Sequence, residues 1–259
     1  MKKQLLGMAI AAALGVSSNA YALDVDLFEE DQFVEDAVLG GGGDEDFVME
    51  SAPGNILGME RDISVEFLNG TDTPNNGVTM EVFDGVLSFS NDNNVGGEGI
   101  VQWDGVDGSM NLDADGLGGI DLAAFGNGFV VETLTADLGF PIFINAYTDD
   151  DTFTLVEIAT TGPGVEFVSF AALENTFLCG GSFGPILSVT CGADGNVDMS
   201  NFGALEFIIN ADGGTTAVDL SIGPIKVPEP AVISLFGAGL IGAAAIRRRR
   251  SKGKKRDMI

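Results

Sequence analysis

No histidine occurs anywhere in the 259 residues, and there are only two cysteines, one tryptophan and two tyrosines. Without histidine, no Ser–His or Cys–His nucleophile pair can form, nor can an imidazole-based metal site. Basic residues are nearly as scarce in the middle of the chain. Of 12 Lys and Arg, two lie at positions 2 and 3 and eight between 247 and 256, which leaves Arg61 and Lys226 for the whole of 23–227. That interval carries 37 acids and a formal charge of −35. Such a surface repels a phosphate backbone and excludes nucleic acid as a partner. Its natural counter-species are calcium, magnesium or a basic polymer, and a purely solubilising acidic surface is the alternative.

The two ends read differently from the middle. Lys2 and Lys3 precede the apolar run Leu5–Val16 and then Ala20-Tyr21-Ala22. This is the pattern of a secretory signal peptide with an A-x-A cleavage site, so the mature chain is expected to begin at Leu23. At the other end, Val227-Pro228-Glu229-Pro230 leads into AVISLFGAGLIGAAAI, 16 residues without a charge, and then into Arg247, Arg248, Arg249 and Arg250. As a helix the run would span roughly 24 Å, a little short of the roughly 30 Å hydrocarbon core; snorkelling arginines and local thinning make up the difference. The basic cluster belongs on the cytoplasmic side, which puts the body across the bacterial inner membrane from it.

The order Val-Pro-Glu-Pro, short apolar helix, arginine cluster resembles the PEP-CTERM sorting signal of Gram-negative bacteria. The resemblance covers about thirty residues. It implies processing by an exosortase-type membrane protease near Pro228-Glu229-Pro230, and export to the cell surface or extracellular matrix of a bacterium that makes exopolysaccharide. A plain C-terminal membrane anchor is the other reading.

Between the ends, apolar residues alternate with polar ones from Ile56 onward: Ile63, Val65 and Phe67; Val78, Met80 and Val82; Leu87 and Phe89. Period-two alternation marks half-buried strands. Further runs recur at 100–103, 129–134, 142–148, 153–158, 165–170, 186–190, 204–209 and 217–222, separated by turn dipeptides such as Asn69-Gly70 and Asp84-Gly85. Asp149-Asp150-Asp151 reads as a hairpin tip. The pattern predicts an all-β, antiparallel, jelly-roll-like β-sandwich, flanked by a signal-peptide helix and a short C-terminal transmembrane helix. The expected division is signal peptide (1–22), acidic flexible segment (23–54), sandwich (55–226), sorting signal with its transmembrane helix (227–250) and basic cytoplasmic tail (251–259). Met59-Glu60-Arg61-Asp62, Trp103-Asp104-Gly105, the glycine-rich stretch 116–122 and Phe202–Glu206 resemble exported β-sandwich proteins that carry this kind of tail. That likeness implies fold and address, and no activity.

Candidate sites are few. Cys179 and Cys191, in an exported chain, are expected to form a disulfide, with free thiols as the alternative. Asn111, Asp113, Asp115 and Gly116 resemble the first half of a calcium loop, D-x-[DN]-x-[DN]-G. The twelfth position is Leu122, with Asp121 one residue early, and no helices flank it, so a looser calcium site on Asn111, Asp113, Asp115 and Asp121 is weighed against plain acidic turns. Trp103 is the candidate sugar-stacking residue, against a place in the core. The expected function is that of an exported, acidic, non-catalytic surface or matrix protein, structural or adhesive in an exopolysaccharide-rich layer. The alternatives are a calcium-dependent carbohydrate-binding module and, using paired carboxylates, a polysaccharide hydrolase.

Overall fold

The β5–β6 hairpin shows how the alternation is used. In β5 (Val78–Phe83), Val78, Met80 and Val82 are buried while Glu81 and Phe83 face solvent. Asp84 and Gly85 then take left-handed conformations, φ 50° and 81°, as a two-residue hairpin turn requires, and β6 (Val86–Asn91) returns in register with Phe83 opposite Val86.

A computed structural model describes residues 22–229, apart from 75, 137, 138, 161, 184 and 185. The signal-peptide helix, Ala20, Pro230, the apolar run and Arg247–Arg250 lie outside the described residues. The remaining strands are β1 (Leu23–Asp26), β2 (Gln32–Asp36), β3 (Asp44–Met49), β4 (Glu60–Gly70), β7 (Val95–Trp103), β8 (Gly128–Ala136), β9 (Pro141–Tyr147), β10 (Phe153–Ala159), β11 (Gly164–Ser169), β12 (Ile186–Cys191), β13 (Ala204–Ile209), β14 (Asp219–Ile222) and β15 (Ile225–Val227); the described residues also include one turn of α-helix, α1 (Phe170–Leu173), and short 3-10 turns. Among the described residues no helix is long and apolar enough to cross a membrane.

The strands form two antiparallel sheets. The first has eight strands in the order β1-β15-β8-β14-β6-β5-β2, with β11 on the other edge of β8. The second has seven, in the order β12-β10-β9-β13-β7-β4-β3. In the first sheet β14 and β15 lie along the same edge of β8, interrupted at Gly223-Pro224. One apolar core lies between the sheets: Ile63, Val65, Val101, Trp103, Leu205 and Phe207 from the second sheet, and Val78, Met80, Leu87, Phe89, Phe129 and Leu220 from the first. A Cβ on Gly99 of β7 would run into Met80 and Phe89, so glycine there lets the sheets approach closely. The Asp149–Asp151 stretch is the β9–β10 hairpin tip, with the Thr148 N–H donating to the Thr152 carbonyl at 2.9 Å.

The interval 23–54 departs from expectation. It is not a flexible lead-in but supplies β1, β2 and β3 to both sheets. A buried ion pair is part of what holds it. Arg61 of β4 donates from Nη1 to Asp26 Oδ1 at 3.0 Å, from Nε to Gln32 Oε1 at 2.6 Å and from Nη2 to the Glu30 carbonyl at 2.6 Å. Trp103 Nε1 and the Phe28 N–H donate to the other sides of Asp26, at 2.8 and 2.7 Å. Ladders with β15, β5 and β4 and the buried Asp36, which accepts the Phe67 N–H at 2.9 Å, hold the segment together with this pair.

Candidate metal centre

β4 and β7 are neighbours, and Asp62 pairs with Gln102. Moving two residues along each strand keeps the same face and sets Glu60 against Asp104. Arg61 and Trp103, the residues between, point into the core; Glu60, Asp62, Gln102 and Asp104 therefore stand on the opposite, outer face of the second sheet. The Asp62 rank continues through Gln102 to Glu206 on β13 and Asn145 on β9.

Glu206, in the middle of that rank, is well served. It accepts from Gln102 Nε2 at 2.7 Å, Asn145 Nδ2 at 2.8 Å and the Tyr147 hydroxyl at 3.3 Å. Asp62, at the end of the rank, is not. It is 0% exposed, and among the described residues neither of its oxygens has an N–H or hydroxyl donor; its hydrogen-bonding neighbour is the carboxyl of Asp104, whose Oδ1 has no such donor either.

The chain leaving β7 folds back over these carboxylates. The N–H groups of Asp107 and Gly108 donate to Glu60 Oε1 at 3.3 and 2.6 Å. The Asp113 N–H donates to Asp104 Oδ2 at 2.7 Å, and Gly108 lies against the ring of Phe47 on β3. Glu60, Asp62 and Asp107 each bring an oxygen within 4.8 Å of the others, and the Asp104 carboxyl adjoins that of Asp62. Glu60, Asp62 and Asp104 are buried and Asp107 opens to solvent. Burial, with Glu60, Asp104 and Asp107 close by, pushes Asp62 up to about 8. Burial, together with the charge of Asp107, pushes Asp104 up to about 6, against the lowering by the Asp113 N–H. All donors here are oxygen, the set that suits calcium, magnesium or manganese rather than zinc or copper.

The calcium loop read from the sequence occupies the neighbouring stretch. Asp113 and Asp115 accept backbone N–H groups at turns through their carbonyls, from Gly116 at 3.0 Å and Gly118 at 2.9 Å. The Asp121 carboxylate caps a short 3-10 turn at Ala124, 3.0 Å away. Asn111 is exposed, its N–H on Ser109 Oγ. Asp113, Asp115 and Asp121 do not converge as a group; convergence occurs instead at Glu60, Asp62 and Asp107. Sequence reading named Glu60, Asp62 and Asp104 as parts of resemblance motifs but not as a site. The available signal was that each carboxylate lies one residue from a large core side chain, Arg61 or Trp103, on a strand whose other face should be wet.

Trp103 is corrected outright as a sugar contact. It is 0% exposed, packs edge-on against Phe207 with ring centroids 5.4 Å apart and donates to Asp26, so it has no face to offer. Cys179 and Cys191 are bonded, their Cα atoms 5.7 Å apart. Val227 ends β15, fully buried, and Pro228, with no N–H to give a ladder, follows immediately.

Residues 226–250 match the PEP-CTERM protein-sorting motif. The match begins inside β15, at Lys226 and Val227. No curated protein matches the chain significantly. The motif marks an exported protein sorted by exosortase, a membrane protease.

Proposed function

We propose that this chain is a non-catalytic structural or adhesive protein of an exopolysaccharide-rich surface layer or matrix, with a jelly-roll-like sandwich as its working body. The observation that carries the reading is the junction between fold and signal: the sorting motif takes over at the last two residues of the last strand. Cutting near Pro228-Glu229-Pro230 leaves every strand in the body. The chain crosses repeatedly between sheets, from β7 to β8, β8 to β9, β10 to β11 and β11 to β12, and this supports the jelly-roll description. Asp62 is no candidate for the general acid of a hydrolase, which must touch the glycosidic oxygen, because it is sealed from solvent.

Mass spectrometry of protein recovered from cells is the test. A species beginning at Leu23 and lacking Arg247–Ile259, found in the surface or matrix fraction, is expected. Recovery of only the intact C terminus in the membrane fraction would favour a permanent anchor. Retention of the processed protein by purified exopolysaccharide supports the matrix role; turnover of the polysaccharide would instead revive the hydrolase.

A further inference from the structure

We infer that Glu60, Asp62 and Asp107, with the Asp104 carboxyl beside them, bind a calcium ion, which fastens the loop after β7 onto the outer face of the second sheet. Three observations converge. Glu60, Asp62 and Asp107 present oxygens within 4.8 Å of one another, a spacing that one central ion can bridge at its usual 2.3–2.6 Å. Asp62 is fully buried with no N–H or hydroxyl on either oxygen, and its neighbour Asp104 holds a third such oxygen; two adjoining buried carboxyls without counter-charge are costly, and such groups are normally paired or coordinated to a metal. Neither cation of the body compensates: Arg61 points to the opposite face and binds Asp26 at 3.0 Å, while Lys226 lies 3.6 Å from Asp24. The neutralising charge must come from outside the chain.

The choice of ion follows from the scaffold. Two ligands are on one strand and one is on a loop, with a further carboxylate at the end of the neighbouring strand. That mixture of fixed and adjustable oxygens suits an ion that accepts six to eight ligands in irregular geometry. Magnesium demands near-ideal octahedral geometry and gives up its water reluctantly. Asp107 is the exposed member and gives the ion its way in. This site is separate from the sorting motif and holds whether or not the body works in a surface layer.

The experiment uses the full-length protein in detergent, stripped with EDTA and titrated at matched ionic strength. Calcium at a hundred times its dissociation constant is expected to raise Tm by about 5–10 °C over the magnesium control. Terbium, a calcium surrogate, should be sensitised by Trp103, the only tryptophan and the chain neighbour of Asp104, and calcium should displace it. Asp62→Asn should weaken calcium binding at least 100-fold while leaving the EDTA-treated protein folded, and Glu60→Gln should weaken it also. Asp113→Asn with Asp115→Asn should bind as the wild type does. Equal Tm shifts with calcium and magnesium, or a calcium response that survives both Asp62→Asn and Glu60→Gln, overturns the assignment and leaves a proton as the neutralising species. If Asp62→Asn does not fold, Glu60→Gln and the wild-type terbium competition decide.

Discussion

Asp26 and Asp62 are both fully buried carboxylates, set on the two faces of the same strand pair, and they are satisfied in opposite ways. Asp26 lies on the inner side, where Arg61, Trp103 Nε1 and the Phe28 N–H surround it. Burial still raises its pKa, against the lowering by Arg61 and by those two donors. Asp62 lies on the outer side among Glu60, Asp104 and Asp107, with no N–H or hydroxyl donor and only another carboxyl, that of Asp104, to bond to. The first is a closed internal network that welds β1 and β2 to the core. The second is an open one, complete only when something positive arrives. In a body with two cations and 37 acids, internal pairing can be used once or twice; every other buried carboxylate must rely on amide donors, as Glu206 does, or on the medium.

The largest effect is expected on the inner face. Arg61→Met removes the counter-charge and strands Asp26, which should cost about 3–5 kcal/mol by chemical denaturation; a loss below about 1 kcal/mol would mean the pair does not hold the N-terminal strands. On the outer face, saturating calcium should add about 2.7 kcal/mol at a hundred times the dissociation constant, read from urea midpoints with and without EDTA. Arg61→Met should leave that increment unchanged, since its network is on the other face.

Acidity sharpens the contrast further. Asp62 is raised from 3.8 to about 8, so between about pH 4 and 8 the folded, metal-free protein holds a proton that the unfolded chain has released. Stability in EDTA should therefore fall as pH rises through that window, by at most about 1.4 kcal/mol per unit from this group, and the contribution should level off above pH 8. Asp62→Asn should flatten the slope relative to the wild type. Asp104, raised to about 6, adds the same sign over a lower window. Calcium competes with these protons, so its affinity should be higher at pH 8 than at pH 5.

Strand positions were legible wherever one face is apolar, as in β5, β9, β10 and β13, and the Asp84-Gly85 turn and the cysteine pair were legible from local chemistry. The role of 23–54 was not, because its partners are distant in sequence, Asp26 meeting Arg61 35 positions away and β1 pairing with β15 at the far end of the body; read alone, the segment is an acidic stretch with scattered aromatics, one of which, Phe33, does remain 55% exposed. The candidate centre was missed for a related reason. A calcium motif is sought as consecutive ligands on one loop, whereas Glu60, Asp62 and Asp104 come from two strands brought together by sheet register. The loop that does resemble a motif lies next door and contributes Asp107 and the amide of Asp113. Trp103 was ambiguous in sequence because a tryptophan beside an aspartate fits either face of a strand; only pairing decides which one turns inward.

The most direct measurement is diffraction from crystals of the protein grown with calcium, with the anomalous signal used to locate the ion. One ion is expected, coordinated by oxygens of Glu60, Asp62 and Asp107 at about 2.3–2.6 Å, with Asp104 beside it. Carboxyls of Asp62 and Asp104 hydrogen-bonded directly to each other, with no anomalous peak between the β4–β7 ends and the loop above them, would contradict it.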